Sequence, residues 1–114
     1  LIMKPIDFLP LKPAVFHILL SLADADRHGY GIMQEVFVRT GGLVKLGPGT
    51  LYTAIKRLVM DKLIVECEGL GACDDERRRY YSITELGREV IGLEARRLEE
   101  LVDMARTKNL LSSI

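Results

Sequence analysis

The sequence predicts a mainly α-helical domain that carries a small β-hairpin and ends in one long helix. Three observations support this fold class. Apolar residues recur at helical spacing in three successive segments between residues 13 and 62. Two short segments rich in β-branched and aromatic residues follow, on either side of a glycine-containing stretch, which is typical of a hairpin. From residue 84 the helical period returns and continues to about residue 109.

The composition bounds the class of protein. The 114 residues have a formal net charge of zero, with 48% hydrophobic and 28% charged residues, which predicts a globular rather than a disordered chain. No apolar run is long enough to cross a membrane, and residues 1–13 lack the pattern of a signal peptide, so we expect a cytoplasmic protein. The zero net charge argues against indiscriminate coating of nucleic acid but is compatible with a local basic surface.

The first two helices should build the core. The first is predicted from Pro13 to about Ala25 and is apolar around most of its circumference. The second is predicted from Gly29 to Thr40, where Gly41 and Gly42 end it, because glycine commonly follows a helix. The residues expected to be buried in the second helix are Tyr30, Ile32, Met33, Val36 and Phe37.

The third helix is predicted to start near Pro48, because proline suits the first helical turn. One face is an apolar stripe, and the other carries hydroxyl, phenol and cationic groups of the kind that reach base edges and phosphates. The residues of this polar face are Thr50, Tyr52, Thr53, Lys56 and Arg57. Lys45 and Lys62 add positive charge nearby, and the one acid of the segment 45–62 is Asp61, at its far end. We interpret this face as a DNA contact; the alternative is the ordinary polar face of an amphipathic helix.

The predicted hairpin consists of strands at residues 63–67 and 78–83, with Tyr81 and Ile83 on one face of the second strand. Its connecting segment carries three acids at residues 74–76, followed directly by three arginines. Arginines at the base of such a hairpin suit the phosphate backbone or a narrow minor groove. The alternative is that acids and arginines pair with each other. The arginines predicted to contact DNA are Arg77, Arg78 and Arg79.

Three helices followed by a hairpin form the plan of a winged helix-turn-helix domain, which we place at residues 1–83. Residues 84–114 then form a C-terminal dimerisation helix, for which Thr84 is the expected N-cap. Its apolar face is too wide for the small domain to cover, so we expect a second copy of the chain to pack on it. The residues expected at this contact are Val90, Ile91, Leu98, Leu101, Val102 and Ala105. Glu94 and Arg97 lie in the same arc and can pair with each other or across the dimer.

Residue patterns of an enzyme or a metal site do not occur in this chain. There is no nucleophile and base arrangement, no phosphate-cradling loop and no carboxylate pair placed for acid–base chemistry. Cys67 and Cys73 are six positions apart, which matches no common zinc spacing. We therefore expect neither catalysis nor a metal or other cofactor.

Five sequence elements occur in a fixed order along the chain. These are Ile18-Leu19, His28-Gly29-Tyr30, the segment 49–58 that opens with Gly-Thr-Leu-Tyr, Leu63-Ile64, and the segment 79–88. With these elements in this order, the chain resembles the PadR family of bacterial transcriptional regulators, in particular its compact branch with a single C-terminal helix. The glycine usual before the first strand is replaced here by Lys62.

The resemblance implies a homodimeric DNA-binding protein, usually a repressor, whose third helix enters the major groove. It also implies that the wing touches the backbone or the minor groove, and that a small molecule acts as an effector near the dimer interface. A two-fold dimer predicts a palindromic operator with half-sites roughly 34 Å apart.

Two other readings remain open at this stage. One is a winged-helix module that binds protein and not DNA. The third helix of such a module should carry apolar residues at the centre of its exposed face, whereas this chain has Thr53, Lys56 and Arg57 there. The other is a metal or redox sensor on the same scaffold, which would use the two cysteines with His17 and His28.

Overall fold

The computed structural model describes residues 3–67 and 79–111, which form a mainly helical domain with a small antiparallel sheet. The predicted fold class is confirmed. A short 3-10 helix, Pro5–Phe8, precedes the first α-helix. The helices are α1 (Pro13–Ser21), α2 (Gly29–Arg39), α3 (Pro48–Met60) and α4 (Glu85–Thr107). The strands are β1 (Arg27–His28), β2 (Ile64–Cys67) and β3 (Tyr80–Ile83).

The sheet has a third strand that the sequence did not predict. The strand order is β1-β3-β2, and both pairings are antiparallel. Strand β1 places Arg27 opposite Tyr81, whereas β2 places Ile64 opposite Ile83. Tyr81 and Ile83 lie on one face of β3, as predicted, and both are buried there. A strand of only two residues shows no period of its own, so β1 becomes visible only through its pairing with β3.

All four helices contribute side chains to one core. α1, α2 and α3 each place leucine, isoleucine or valine residues at helical spacing toward the others, and β2, β3 and the start of α4 close the remaining side. The most deeply buried of these residues are Ile18, Leu19, Leu22, Ile32, Val36, Leu51, Leu63, Ile64 and Val90. The buried face of α4 ends near Glu94, although the helix continues to Thr107.

Two details of the first helices differ from the prediction. α1 ends at Ser21, four residues early, and arginine side chains from elsewhere bind carbonyls at and after this end. Arg27 Nε donates to the Ser21 carbonyl at 2.8 Å, and Arg88 donates to the Ala23 carbonyl at 3.0 Å. In α2, Tyr30 and Phe37 are exposed rather than buried. Each follows a buried residue of α2 by one position, which turns it by about 100° away from the core.

The end of α3 explains the unusual Lys62. Leu63 N–H donates to the Leu58 carbonyl and Lys62 N–H to the Val59 carbonyl, both at 3.0 Å, which is the Schellman pattern of a helix C-terminus. That pattern requires a left-handed residue after the C-cap, and Lys62 has a φ of 62°. The turn is therefore as tight as a glycine would make it, at a cost in backbone strain of about 1 kcal/mol.

The start of α4 is fixed against the turn before β2. Thr84 is the N-cap, as predicted, since its hydroxyl accepts a hydrogen bond from Gly87 N–H at 3.0 Å. The same hydroxyl donates to the Lys62 carbonyl at 2.7 Å. Gly87 lies so close that a Cβ there would be 2.2 Å from the Leu63 carbonyl oxygen. The absence of a side chain at Gly87 thus allows α4 to leave the sheet at this angle.

Within the described residues, no helix combines the length and the apolar character needed to cross a membrane.

Candidate nucleic-acid interface

The exposed face of α3 contains all five side chains predicted for it. Leu51, Ile55 and Leu58 turn inward and are buried, which leaves the opposite side of the helix in solvent. The residues on that side are Thr50, Tyr52, Thr53, Lys56 and Arg57, all of them exposed. Lys45 is also exposed, in the loop between α2 and α3. We call these six residues the α3 face.

Tyr52 has a structural role besides its exposure. A Cβ on Gly29 would lie 2.5 Å from the Tyr52 hydroxyl, so the phenol rests directly against the first turn of α2. Only glycine permits this approach. The contact fixes α3 relative to α2, and half of the Tyr52 side chain remains exposed for another partner.

The start of α2 is held to the sheet by His28. The backbone N–H of Gly31 donates to His28 Nδ1 at 2.9 Å, so the imidazole caps the helix. The ring also lies edge-on to Tyr80 of β3, with centroids 5.2 Å apart. His28, Gly29 and Tyr52 therefore connect the sheet, α2 and the α3 face. Sequence reasoning placed His28 among potential sensor ligands and missed this capping role.

Two of the predicted DNA-contacting arginines are paired with carboxylates. Arg57 Nε lies 3.1 Å from Asp61 Oδ2, and Arg79 Nε lies 3.5 Å from Glu66 Oε1. Both arginine side chains remain largely exposed. Lys56 makes no ion pair with any residue in the ranges 3–67 and 79–111.

The other two predicted arginines, Arg77 and Arg78, lie outside the described residues. So do the acids at 74–76 and Cys73. Arg79 stands immediately before β3, on the same sheet that holds His28. Of the three arginines predicted beside the β2–β3 hairpin, the described residues thus include one, Arg79.

The predicted dimer contact divides into two parts. Val90 and Ile91 are 0% and 8% exposed in the single chain, because they belong to its own core. They are reassigned to that core, since they offer almost no surface to a second chain. Leu98, Leu101 and Val102 are 37%, 46% and 39% exposed, and Ala105 is half-buried. These four residues continue the same side of α4 beyond the point where the domain covers it.

Glu94 and Arg97 pair within the chain, which is one of the two arrangements expected. Glu94 is 1% exposed, and both of its oxygens accept hydrogen bonds from the Arg97 guanidinium. One of them also accepts from Leu11 N–H at 2.7 Å. The hydrogen bonds from Arg97, and to a smaller extent that from Leu11, hold the pKa of Glu94 below its ordinary value despite burial. The same pairing raises the pKa of Arg97.

The described cysteine and His17 occupy unrelated positions. Cys67 Sγ lies 3.8 Å from Asp26 Oδ2, and burial together with that carboxylate raises the pKa of the thiol. His17 instead contacts Arg39, and burial and that cation lower its pKa. In the part of the chain that the structure describes, no three His, Cys, Asp or Glu side chains converge as a metal site. These residues give no support to the hypothesis of a metal or redox sensor.

A winged helix-turn-helix domain with an exposed polar and cationic helix is typical of DNA-binding proteins, and comparisons with known proteins identify the family. The model of the transcriptional regulator PadR-like family matches residues 18–93, so the chain belongs to this family. A transcriptional regulator of Mycobacterium tuberculosis is 39% identical over 85 residues, which are 75% of this chain and 75% of that protein. An uncharacterized protein of Lysinibacillus sphaericus is 32% identical over 90 residues, 76% of this chain and 82% of that one.

Solved structures share the fold. A PadR family regulator from Clostridium difficile superposes with a TM-score of 0.71 at 24% identity, covering 84% of this chain and 97% of that one. A transcriptional regulator from Clostridium thermocellum superposes with a TM-score of 0.62 at 28% identity, covering 87% of this chain and 92% of that one. Bacillus subtilis PadR, solved in complex with operator DNA, superposes with a TM-score of 0.61 at 19% identity, covering 73% of this chain and 46% of that one. Membership of a family of transcriptional regulators agrees with the predicted class and with the expectation that the chain is not an enzyme.

Proposed function

We propose that this protein is a sequence-specific DNA-binding transcriptional regulator that reads the major groove with the α3 face. The observation that carries the proposal is the α3 face itself. Its exposed surface is built from hydroxyls, a phenol and cations, which suit base edges and phosphates. A protein-docking helix should instead present apolar side chains at the centre of its exposed side, where this chain has Thr53, Lys56 and Arg57.

The scaffold around the α3 face supports the same role. Contacts of Tyr52 with Gly29 join α3 to α2, and contacts of His28 with Gly31 and Tyr80 join α2 to the sheet. A helix that is held in place before binding loses little conformational freedom when it enters a groove. In this proposal Arg79, together with Arg77 and Arg78, contacts backbone phosphates or the minor groove beside the site of α3.

The proposed active form is a homodimer that forms through the exposed part of α4. Leu98, Leu101, Val102 and Ala105 make an apolar stripe that the described chain leaves partly exposed. A second copy would cover it with an identical stripe, as in isologous two-fold contacts. Two α3 faces related by a two-fold axis then require a palindromic operator.

The proposal extends to repression and to control by a small molecule, both of which come from the family resemblance. An effector that favours one spacing of the two α3 helices would shift the population that fits the operator. α4 connects the proposed dimer contact to the DNA-binding domain, so it is the element through which such a change would pass. The proposed site of action is the cytoplasm.

A fluorescence anisotropy titration tests the DNA-binding proposal. Labelled DNA from the region upstream of the protein's own reading frame is compared with a scrambled duplex of the same composition, at several salt concentrations. We expect saturable binding to the upstream DNA that the scrambled duplex does not match. If about six phosphates are contacted, log affinity should fall with log salt at a slope of roughly −5.

A pair of lysine variants locates the contact. Lys56→Ala should weaken binding to both duplexes and reduce the magnitude of the salt slope by about one. Lys108→Ala removes the same charge at the C-cap of α4 and should leave binding unchanged. Equal weak binding of both duplexes that disappears near physiological salt, with no effect of Lys56→Ala, would favour the protein-interaction module.

A further inference from the structure

We propose that Asp61 is a positioning residue that restrains Arg57 and so lowers the affinity of the α3 face for DNA of any sequence. The inference rests on the proposed function, because it concerns how the same face meets phosphate groups. Asp61 is the C-cap of α3, one helical turn after Arg57. Its Oδ2 accepts a hydrogen bond from Arg57 Nε at 3.1 Å.

The two partners differ in their freedom. The Asp61 side chain is 23% exposed, whereas that of Arg57 is 76% exposed. The backbone N–H of Asp61 also donates to the Arg57 carbonyl at 2.9 Å, which fixes the position of the cap. The carboxylate is thus the anchored partner, and it determines where the guanidinium resides while no DNA is bound.

Helix stability does not account for an aspartate at this position. The C-terminal end of a helix carries a partial negative charge, which disfavours a carboxylate there. An arginine four residues before an acid is the weaker of the two orders for an ion pair on a helix, although the pair is still favourable. The helix dipole thus opposes Asp61, and the contact with Arg57 is the interaction that favours it.

A phosphate group must compete with Asp61 for Arg57. The carboxylate already occupies Nε, and its charge lies within one Debye length of any phosphate that approaches the guanidinium. Lys56, the adjacent cation, makes no ion pair within the described residues and meets no such competition. The pair is exposed, so its removal should change affinity by only about two- to fivefold.

The test is Asp61→Asn, which keeps the shape of the side chain and removes its charge. Binding to the upstream DNA and to the scrambled duplex is measured across salt with the wild-type protein alongside. We expect both affinities to rise by about two- to fivefold at low salt. The salt slope should steepen by up to about one, because Arg57 becomes available to one more phosphate. The ratio of the two affinities should stay the same.

Two controls separate the restraint from general effects. Asp103→Asn removes the same charge from another carboxylate paired with an arginine, Arg106 at 2.7 Å, but on α4. It measures the effect of net charge alone. Asp61→Asn in an Arg57→Ala background should bind as Arg57→Ala does, because there is no guanidinium to release. Thermal unfolding of Asp61→Asn should be unchanged or slightly higher in temperature, since a negative charge leaves the helix C-terminus.

The outcomes distinguish the inference from the proposed function. Tighter binding that depends on Arg57 supports the restraint. Weaker binding to the upstream DNA alone would mean that Asp61 orients Arg57 for a base contact, and it would overturn the restraint. A change no larger than that of Asp103→Asn would overturn it as well. If the wild-type protein shows no preference for the upstream DNA and Lys56→Ala has no effect, the proposed function itself fails, and the restraint fails with it.

Discussion

The Glu94 carboxylate accepts a hydrogen bond at 2.7 Å from the backbone N–H of Leu11, a residue 83 positions earlier in the chain. The Arg97 guanidinium binds the same carboxylate from one turn further along α4. A buried acid therefore joins the segment before α1 to the middle of α4, at the point where α4 leaves the domain. Its hydrogen-bonding capacity is used on both sides, which offsets the cost of burying the charge.

Glu94→Gln should destabilise the protein by about 1–3 kcal/mol at pH 7, because the charge-assisted bonds from Arg97 are lost inside the structure. The effect should depend on pH. The ordinary pKa of a glutamate, which applies to the unfolded chain, is 4.5, and the folded-state pKa of Glu94 lies below it. Its contribution is therefore fully present above that pH and is lost as the pH falls through the folded-state pKa. Urea unfolding at several pH values between about 3 and 7 measures this.

The matched control for Glu94 is Glu99→Gln, an exposed carboxylate of the same helix that should change stability little at any pH. The difference between wild type and Glu94→Gln should shrink toward acidic pH. A difference that stays constant down to pH 3 would contradict the lowered folded-state pKa of Glu94.

Local patterns predicted most of the helices and strands, because each has a period or a cap of its own. Thr84, for example, is recognisable as an N-cap before a long helical pattern. The paired role of Glu94 was open in the sequence, since its partner Leu11 is distant in the chain. The division of the apolar face of α4 into core and exposed parts also depends on where the domain ends. A helical wheel shows which side is apolar but not what covers it. Val90 and Leu101 were therefore both predicted at the dimer contact, although Val90 is buried in the core of its own chain.

The same limit applies to the α3 face. The exposure of Thr50, Thr53 and Lys56 follows from the helical period alone. The engagement of Arg57 by Asp61 depends on side-chain geometry at the helix end. The contact of Tyr52 with Gly29 depends on how α3 crosses α2, which no local pattern specifies.

Gly87→Ala should destabilise the protein by about 1–3 kcal/mol. The added methyl carbon would lie 2.2 Å from the Leu63 carbonyl oxygen and 2.8 Å from Ile83 Cγ1, so α4 must shift away from the sheet. Gly92→Ala is the matched control on the same helix, because nothing lies within 4 Å of its added carbon. It should stabilise by up to about 1 kcal/mol through helix propensity. Thermal unfolding of the two variants should therefore move in opposite directions, and a shared direction would contradict the close contact at Gly87.

Lys62→Gly should stabilise the protein by about 0.5–1 kcal/mol. Lys62 adopts a left-handed conformation with a φ of 62°, which a side chain disfavours and glycine does not. Part of the gain is offset because glycine makes the unfolded chain more flexible. Lys62→Ala removes the same charge and long side chain but keeps a Cβ, so it should not stabilise. Chemical denaturation of both variants tests this, and equal stability of the two would show that backbone strain at residue 62 is negligible.

Leu101→Glu should convert the proposed dimer into a monomer without unfolding the domain. Leu101 is 46% exposed in the single chain and lies on the stripe that continues the buried side of α4, so a charge there costs little in the monomer but much against a second copy. Leu43→Glu makes the same substitution at a residue that is 90% exposed in the loop between α2 and α3. It should leave the mass unchanged. Light scattering after gel filtration gives the mass of each species. If the wild-type protein is a monomer, the proposed dimer does not exist. If the dimer survives Leu101→Glu, the subunit contact lies elsewhere. In both cases two α3 faces would not be related through α4.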